Sequence, residues 1–367
     1  MSNSLPIRLN LSLPDNHCML NQPYRNLLAL CVLGAFSALS NAQETACRSI
    51  GNDSERLACY DKAVIAIAAN AATPDTIEKK NQPPALSTGE ASKQHVLVSS
   101  LTERWDLDAA NKRGTFVLLP YKPIFLLPFT FTDHVNQSPS SPASGHTSSL
   151  PADLNPVEAK YQLSFKAKAA ENIFGDNGDL WLGYTQSSHW QVYNSGRSRP
   201  FRETNYEPEA MLVFRTNYEL FGFKGTMASI GVNHQSNGRD LPLSRSWNRV
   251  IAEAGFERGD WLVSIRPWWR LPESDGSDDN PDIENYVGRG ELNIARKWHD
   301  QVFSLQARHS LRGGANSHGS AQLGWSFPVA GDLKGYVQLF SGYGESMIDY
   351  NHRQTMIGAG ITVHDWF

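Results

Sequence analysis

The chain has 367 residues, a formal net charge of -4 and a mean hydropathy of -0.41, enough for one barrel-sized domain with an N-terminal extension. Past the N-terminus no uninterrupted apolar stretch is long enough to cross a bilayer as a helix, and the mild acidity gives no sign of a nucleic-acid surface, so no nucleic-acid partner is expected. A transmembrane β-barrel stays open, because its strands alternate apolar and polar side chains and escape hydropathy scans.

The N-terminus reads as an export signal. Arg25 precedes the apolar run from Leu27 to Phe36, and the small residues Ser40-Asn41-Ala42 suit cleavage before Gln43. The run is too short for a membrane anchor. Met19 stands where a signal of ordinary length would begin, which makes it an alternative start to Met1. Export leaves Cys47 and Cys59, and in an oxidising periplasm that pair is expected to close a small disulfide loop. Residues 43–65 read as a short helical hairpin and 66–100 as a linker, together a periplasmic extension of 43–100 ahead of a barrel over 101–367.

From Ala159 onward the pattern has a period of two. In Lys160-Tyr161-Gln162-Leu163-Ser164-Phe165-Lys166-Ala167-Lys168-Ala169 every odd position is apolar and every even one polar. The same habit returns in Leu180, Leu182, Tyr184, in Ala228, Ile230, Val232, and onward to Ile357, Ala359, Ile361, Val363. With 115–132 as an opening strand and the Ser/Pro-rich 136–156 as a loop, about twelve strands follow, an even number as barrel closure prefers. A soluble sandwich alternates similarly. The export signal and the terminal aromatic Phe367 favour the barrel, an all-β, twelve-stranded antiparallel one.

Chemistry concentrates between Gly231 and Arg249. Residues two apart on a strand share a face, so His234 and Ser236 join Ile230 and Val232 on the lipid side. Asn248 joins Val250, Ala252 and Ala254 on the next strand. Asn237-Gly238 and Asp240-Leu241-Pro242 are turn formers, and a hairpin centred on Leu241 sets His234 opposite Asn248. Paired residues have Cβ atoms about 4.5 to 5.5 Å apart, within reach of an amide that orients an imidazole. Any one of these residues would be ordinary in a polar rim. Three on one lipid-facing patch, able to serve as nucleophile, base and orienter, point to function, because polar groups in hydrocarbon are costly. Asn stabilises an imidazolium less than a carboxylate would, so help for the oxyanion is needed, and a metal ion is the natural candidate.

With these residues the chain resembles the outer-membrane phospholipase A family. The motifs that carry the resemblance are Tyr184-Thr185-Gln186, the run Pro200 to Pro208, the stretch His234 to Arg249, Asp279-Asn280-Pro281-Asp282, and Ser341 to Asn351. The resemblance spans roughly 102–367. It implies a twelve-stranded barrel in the outer membrane of a Gram-negative bacterium. It also implies a calcium-dependent phospholipase A1/A2 that cleaves sn-1 and sn-2 esters of phospholipids and lysophospholipids and is activated by homodimerisation.

By position Ser236, His234 and Asn248 match the family's nucleophile, base and orienter. Ser244 matches a side-chain calcium ligand, Ser198 and Arg239 match backbone ligands, and Gln186 matches a polar residue of the dimer interface. The family pattern has an acid where this chain has Leu241. A second calcium position therefore rests on Asp279 with Asp240, whose side chain starts from the other strand face. The rival reading is a porin or structural barrel without catalysis, which gives no reason for His, Ser and Asn on the lipid face.

Overall fold

A computed structural model describes residues 100–108 and 112–366. The export signal, Cys47, Cys59 and the extension to residue 99 lie outside the described residues. A five-residue helix, α1 (Ser100–Arg104), is followed by β1 (Leu118–Pro120), β2 (Ile124–Thr132), β3 (Val157–Ala170), β4 (Asp179–Trp190), β5 (Phe201–Leu220) and β6 (Phe223–Ser236). Then come β7 (Ser246–Arg258), β8 (Trp261–Arg270), β9 (Gly290–Trp298), β10 (Gln301–His309), β11 (Gly319–Ala330), β12 (Leu333–Gly342) and β13 (Gln354–His364). Each of β4 to β13 pairs antiparallel with its chain neighbours, β2 joins β13 to β3, and the β3–β4 pairing closes the ring.

The wall has twelve staves, because β1 and β2 both pair with β3 and are successive parts of one. The opening strand thus exists but is broken. Pro120 and Pro123 lack the N–H that a ladder needs, and the register slips again around Pro128. Between the two parts, the Lys122 N–H donates to Ser164 Oγ at 3.0 Å instead of to a strand carbonyl.

The alternation places apolar side chains outside and charge inside. On β3, Leu163 and Phe165 are exposed while Glu158, Lys160, Ser164, Lys166 and Lys168 are buried. On β13, Ile357, Ile361 and Val363 are exposed while Met356 and Thr362 are buried. This is the inverse of a water-soluble protein, and it is what a hydrocarbon surround selects. Buried charges must be paired. Lys160 meets Glu345 at 2.7 Å, Arg202 bridges Glu158 at 2.8 Å and Asp349 at 2.6 Å, and Arg266 meets Glu209 at 2.9 Å. These buried pairs lie in the bore, where a porin would hold water.

One apolar cluster of the interior sits beside α1, and a second gathers Trp247, Trp268, Ile283 and Tyr350. Trp105 packs edge-on against Tyr121 at 5.7 Å and Trp181 at 5.6 Å, with Leu101, Leu107 and Met211 around them. The Leu101 N–H donates to Glu257 Oε1 at 2.7 Å, and Arg104 Nη2 donates to the Tyr121 carbonyl at 2.7 Å, which fixes α1 to both sides of the wall. At this end β5–β6, β7–β8, β9–β10 and β11–β12 are joined by two-residue turns. At the other end the connections are long, as on the outer side of bacterial barrels.

Candidate active site

The β6–β7 hairpin lies at the long-loop end. Its register pairs Ser236 with Ser246, His234 with Asn248 and Val232 with Val250. The loop between is pinned by Asn237, which is buried. Its Oδ1 accepts from the Arg239 and Arg245 N–H groups at 3.3 and 3.0 Å, and its Nδ2 donates to the Leu243 carbonyl at 2.8 Å. The sequence marks Asn237 only as a turn former; its hold on both arms of the loop needs the fold. Gly238 follows with φ +59, a left-handed conformation, and an added Cβ would stand 3.2 Å from the Tyr206 ring.

Ile230, Val232 and His234 are exposed on one face, with Ser236 and Asn248 half-buried beside them. His234 and Asn248 are joined by a hydrogen bond of 2.8 Å between Nδ1 and Oδ1. An amide oxygen can only accept, so Nδ1 carries the proton and donates, which leaves the Nε2 lone pair on the far side of the ring. Among the described residues the Ser236 hydroxyl makes no hydrogen bond, and its place two residues along β6 puts it on the same face as His234.

The other amide atom of Asn248 is also engaged. Nδ2 donates to Glu273 Oε1 at 3.3 Å. Glu273 lies in the connection after β8, three residues past Arg270. Desolvation raises its carboxyl above the ordinary value, with Arg270 acting in opposition. Sequence reading misses this residue, since 271–289 carries no periodicity to place it.

Below the hairpin tip, Asp279 gathers hydroxyls. Its Oδ2 accepts from Ser244 Oγ at 2.6 Å and from Ser246 Oγ at 3.3 Å, and Oδ1 lies 3.0 Å from His146 Nε2. The Asp279 carboxylate and the two serine hydroxyls are hard oxygen ligands of the kind calcium takes, while among the described residues no group of three or more His, Cys, Asp or Glu gathers for a metal. Asp240 is exposed and joins none of these contacts. Ser198 closes a short 3₁₀ turn in the β4–β5 connection with a left-handed φ of 59. No hydrogen bond links it to Ser244 or Asp279 among the described residues, but Arg197 beside it and Arg239 line one pocket.

Gln186 stands on β4. Its Oε1 accepts from the Tyr184 hydroxyl at 3.0 Å, and its Nε2 donates to Ser188 Oγ at 3.3 Å. The amide is therefore not alone on the outer wall. Gln186 pairs with Tyr206, Tyr206 with Ser236 and Ser236 with Ser246, so the four form one row across β4, β5, β6 and β7.

The family model described as Phospholipase A1 matches residues 101–363. The chain belongs to the phospholipase A1 family. An Escherichia coli K12 relative named phospholipase A1 is 39% identical over 69% of this chain and 83% of its own length. A Neisseria meningitidis relative, also named for phospholipase A1, is 36% identical over 93% of this chain and 96% of its own. Among solved structures, the Salmonella typhi outer membrane phospholipase dimer with bound calcium is 38% identical, covers 70% of this chain and 96% of that one, and superposes with a TM-score of 0.63. An active-site variant of outer membrane phospholipase A from Escherichia coli, with an asparagine replaced by alanine, is 38% identical and superposes with a TM-score of 0.62 over 70% of this chain and 95% of that one. As a member of this phospholipase A1 family, the chain is an outer-membrane β-barrel hydrolase.

Proposed function

We propose that this family member hydrolyses acyl esters of phospholipids and lysophospholipids with Ser236 as nucleophile, His234 as base and Asn248 as orienter. It would do so as a calcium-dependent homodimer. The observation that carries the reading is the 2.8 Å hydrogen bond between His234 and Asn248 on the outward face that also bears Ser236. The Escherichia coli relative, whose active site includes an asparagine, supports it.

Ser236 Oγ–H gives its proton to His234 Nε2 as Oγ attacks the ester carbonyl. A tetrahedral oxyanion forms, and His234 then returns the proton to the departing lysophospholipid oxygen. Water, deprotonated by the same imidazole, attacks the acyl-serine carbonyl and releases the fatty acid, with the proton returned to Ser236. Asn248 holds the ring throughout, so that Nε2 and not Nδ1 meets the hydroxyl.

Ser244 through its hydroxyl, and Arg239 and Ser198 through their carbonyls, are the residues that would hold calcium, with Asp279 as an acid for a second position. When bound, the ion supplies positive charge near the developing oxyanion. The Salmonella typhi dimer with bound calcium supports both the ion and the assembly. In this chain Gln186 and Ser236 lie two strands apart in one row, roughly 10 Å at ordinary strand spacing, so a second copy seated on Gln186 also borders the nucleophile. The 136–156 loop contributes His146 to the calcium-side cluster.

The test is phospholipid hydrolysis in detergent with and without calcium, by the parent chain and by Ser236→Ala. Calcium-dependent release of fatty acid that the variant lacks is the expected result. Equal release by both overturns the proposal.

A further inference from the structure

We infer that Glu273 is a positioning residue of the hydrolytic site, one that sets the tautomer of His234 through the Asn248 side chain. The inference rests on the triad reading above.

An amide side chain has two chemically opposite ends at nearly the same distance from its backbone, so a lone asparagine can present either oxygen or nitrogen to its neighbour. Presented with oxygen, the imidazole donates from Nδ1 and keeps a lone pair on Nε2. Presented with nitrogen, it must accept at Nδ1, the proton moves to Nε2, and the base is spent. A carboxylate at the far end removes that freedom. Ionised Glu273 accepts and cannot donate, so Asn248 Nδ2 must turn to it, as it does at 3.3 Å, and Oδ1 must turn to His234, as it does at 2.8 Å. Rotating the amide by half a turn would set acceptor against acceptor at one end and donor against donor at the other.

Glu273 is also placed to stay. The Leu271 N–H donates to the Asn248 backbone carbonyl at 2.8 Å, which carries the strand pairing past the end of β8 and lays the next residues along Asn248. Glu273 is two positions on, in the irregular connection after β8, and its contact with Asn248 Nδ2 sets its carboxylate beside that amide. The nearby Arg270 guanidinium is taken by Asp278 at 2.6 Å and by the Pro281 carbonyl at 3.0 Å, so it does not draw the carboxylate away. This also gives a reason for Asn at 248. An aspartate there could not donate to Glu273 and would meet it as a like charge.

The test uses the full chain, refolded and calcium-loaded in detergent, with phosphatidylcholine in mixed micelles. Heat-modifiable gel mobility checks the barrel in each variant. E273A is expected to lower kcat on the order of tenfold, one orienting hydrogen bond's worth, with KM little changed. E273Q keeps the shape, but its amide can donate as well as accept, so it leaves Asn248 free to turn and is expected to stay several-fold below the parent in kcat, on the order of one lost orienting hydrogen bond. In an N248A background E273A should cost nothing further, because the two act in series. Unchanged kcat in E273A overturns the inference, as does full recovery of kcat in E273Q or a loss that recurs in full with N248A. Turnover by S236A would overturn the triad reading and this one together. An inactive S236A beside a fully active E273A would overturn this one alone.

Discussion

The Lys166 ammonium lies 3.2 Å from the centre of the Trp105 ring, inside the barrel. It has no hydrogen-bond partner among the described residues, and the Trp181 and Tyr121 rings complete its surroundings at 5.1 and 5.6 Å. The residue that follows α1 thus supplies the face on which a wall cation rests. Trp105→Ala should remove this face together with the packing on Tyr121 and Trp181. A loss of about 3–5 kcal/mol is expected for the barrel, read as a lower urea midpoint of the unheated, folded band. Lys166→Met, which keeps length and removes the charge, should be neutral or stabilising in the same assay.

The three proposed triad members should not be equal. Ser236→Ala should abolish turnover and leave gel mobility unchanged, because the hydroxyl makes no hydrogen bond among the described residues. His234→Ala should be as severe. Asn248→Ala should cost about tenfold, since an amide orients the ring without adding charge. A sulfonyl fluoride should label Ser236 and no other serine, as peptide mass spectrometry can read.

Calcium should act at the hairpin tip. Chelation is expected to reduce turnover on the order of a hundredfold, the size of a lost oxyanion donor. Asp279→Asn keeps a side chain able to accept from Ser244 and removes a charge. It should raise the calcium concentration needed for half-maximal turnover while leaving the maximum nearly intact. A maximum that falls with no change in calcium requirement would place Asp279 in the chemistry instead.

Assembly should answer to Gln186. Gln186→Leu removes two partly buried hydrogen bonds, and Ser188 keeps its contact with Thr204, so the monomer should still fold. The fraction of cross-linked dimer at a fixed protein-to-detergent ratio should fall, and turnover with it. Chemical cross-linking with calcium present reads both.

The hairpin register was legible because turn chemistry fixes it: Asn237-Gly238 and Pro242 leave a pairing in which 234 faces 248, and the structure has that pairing. Face assignment was legible because a period of two admits two choices and the expectation of an outer-membrane barrel selects one. The break at Tyr121–Pro123 was written in its prolines but hidden by the apolar run around it. Glu273, His146 and Asn237 were not legible as partners. Each meets its neighbour through a loop contact, at separations of 25 residues from Asn248, 133 from Asp279 and 6 from Leu243, which no local pattern encodes. Nor does composition show that α1 brings Trp105 inside the wall.

With Ser236 on the outer wall, the proposed nucleophile would meet its substrate sideways, through the leaflet in which the barrel is dissolved. The solvent is then the reactant. Bulk lipid concentration loses its usual meaning for such an enzyme, and the composition of the leaflet sets the rate in its place. An enzyme bathed in substrate is not restrained by scarcity, and under the proposed dimer its restraint would lie in lateral encounters between copies, which depend on how crowded the membrane is.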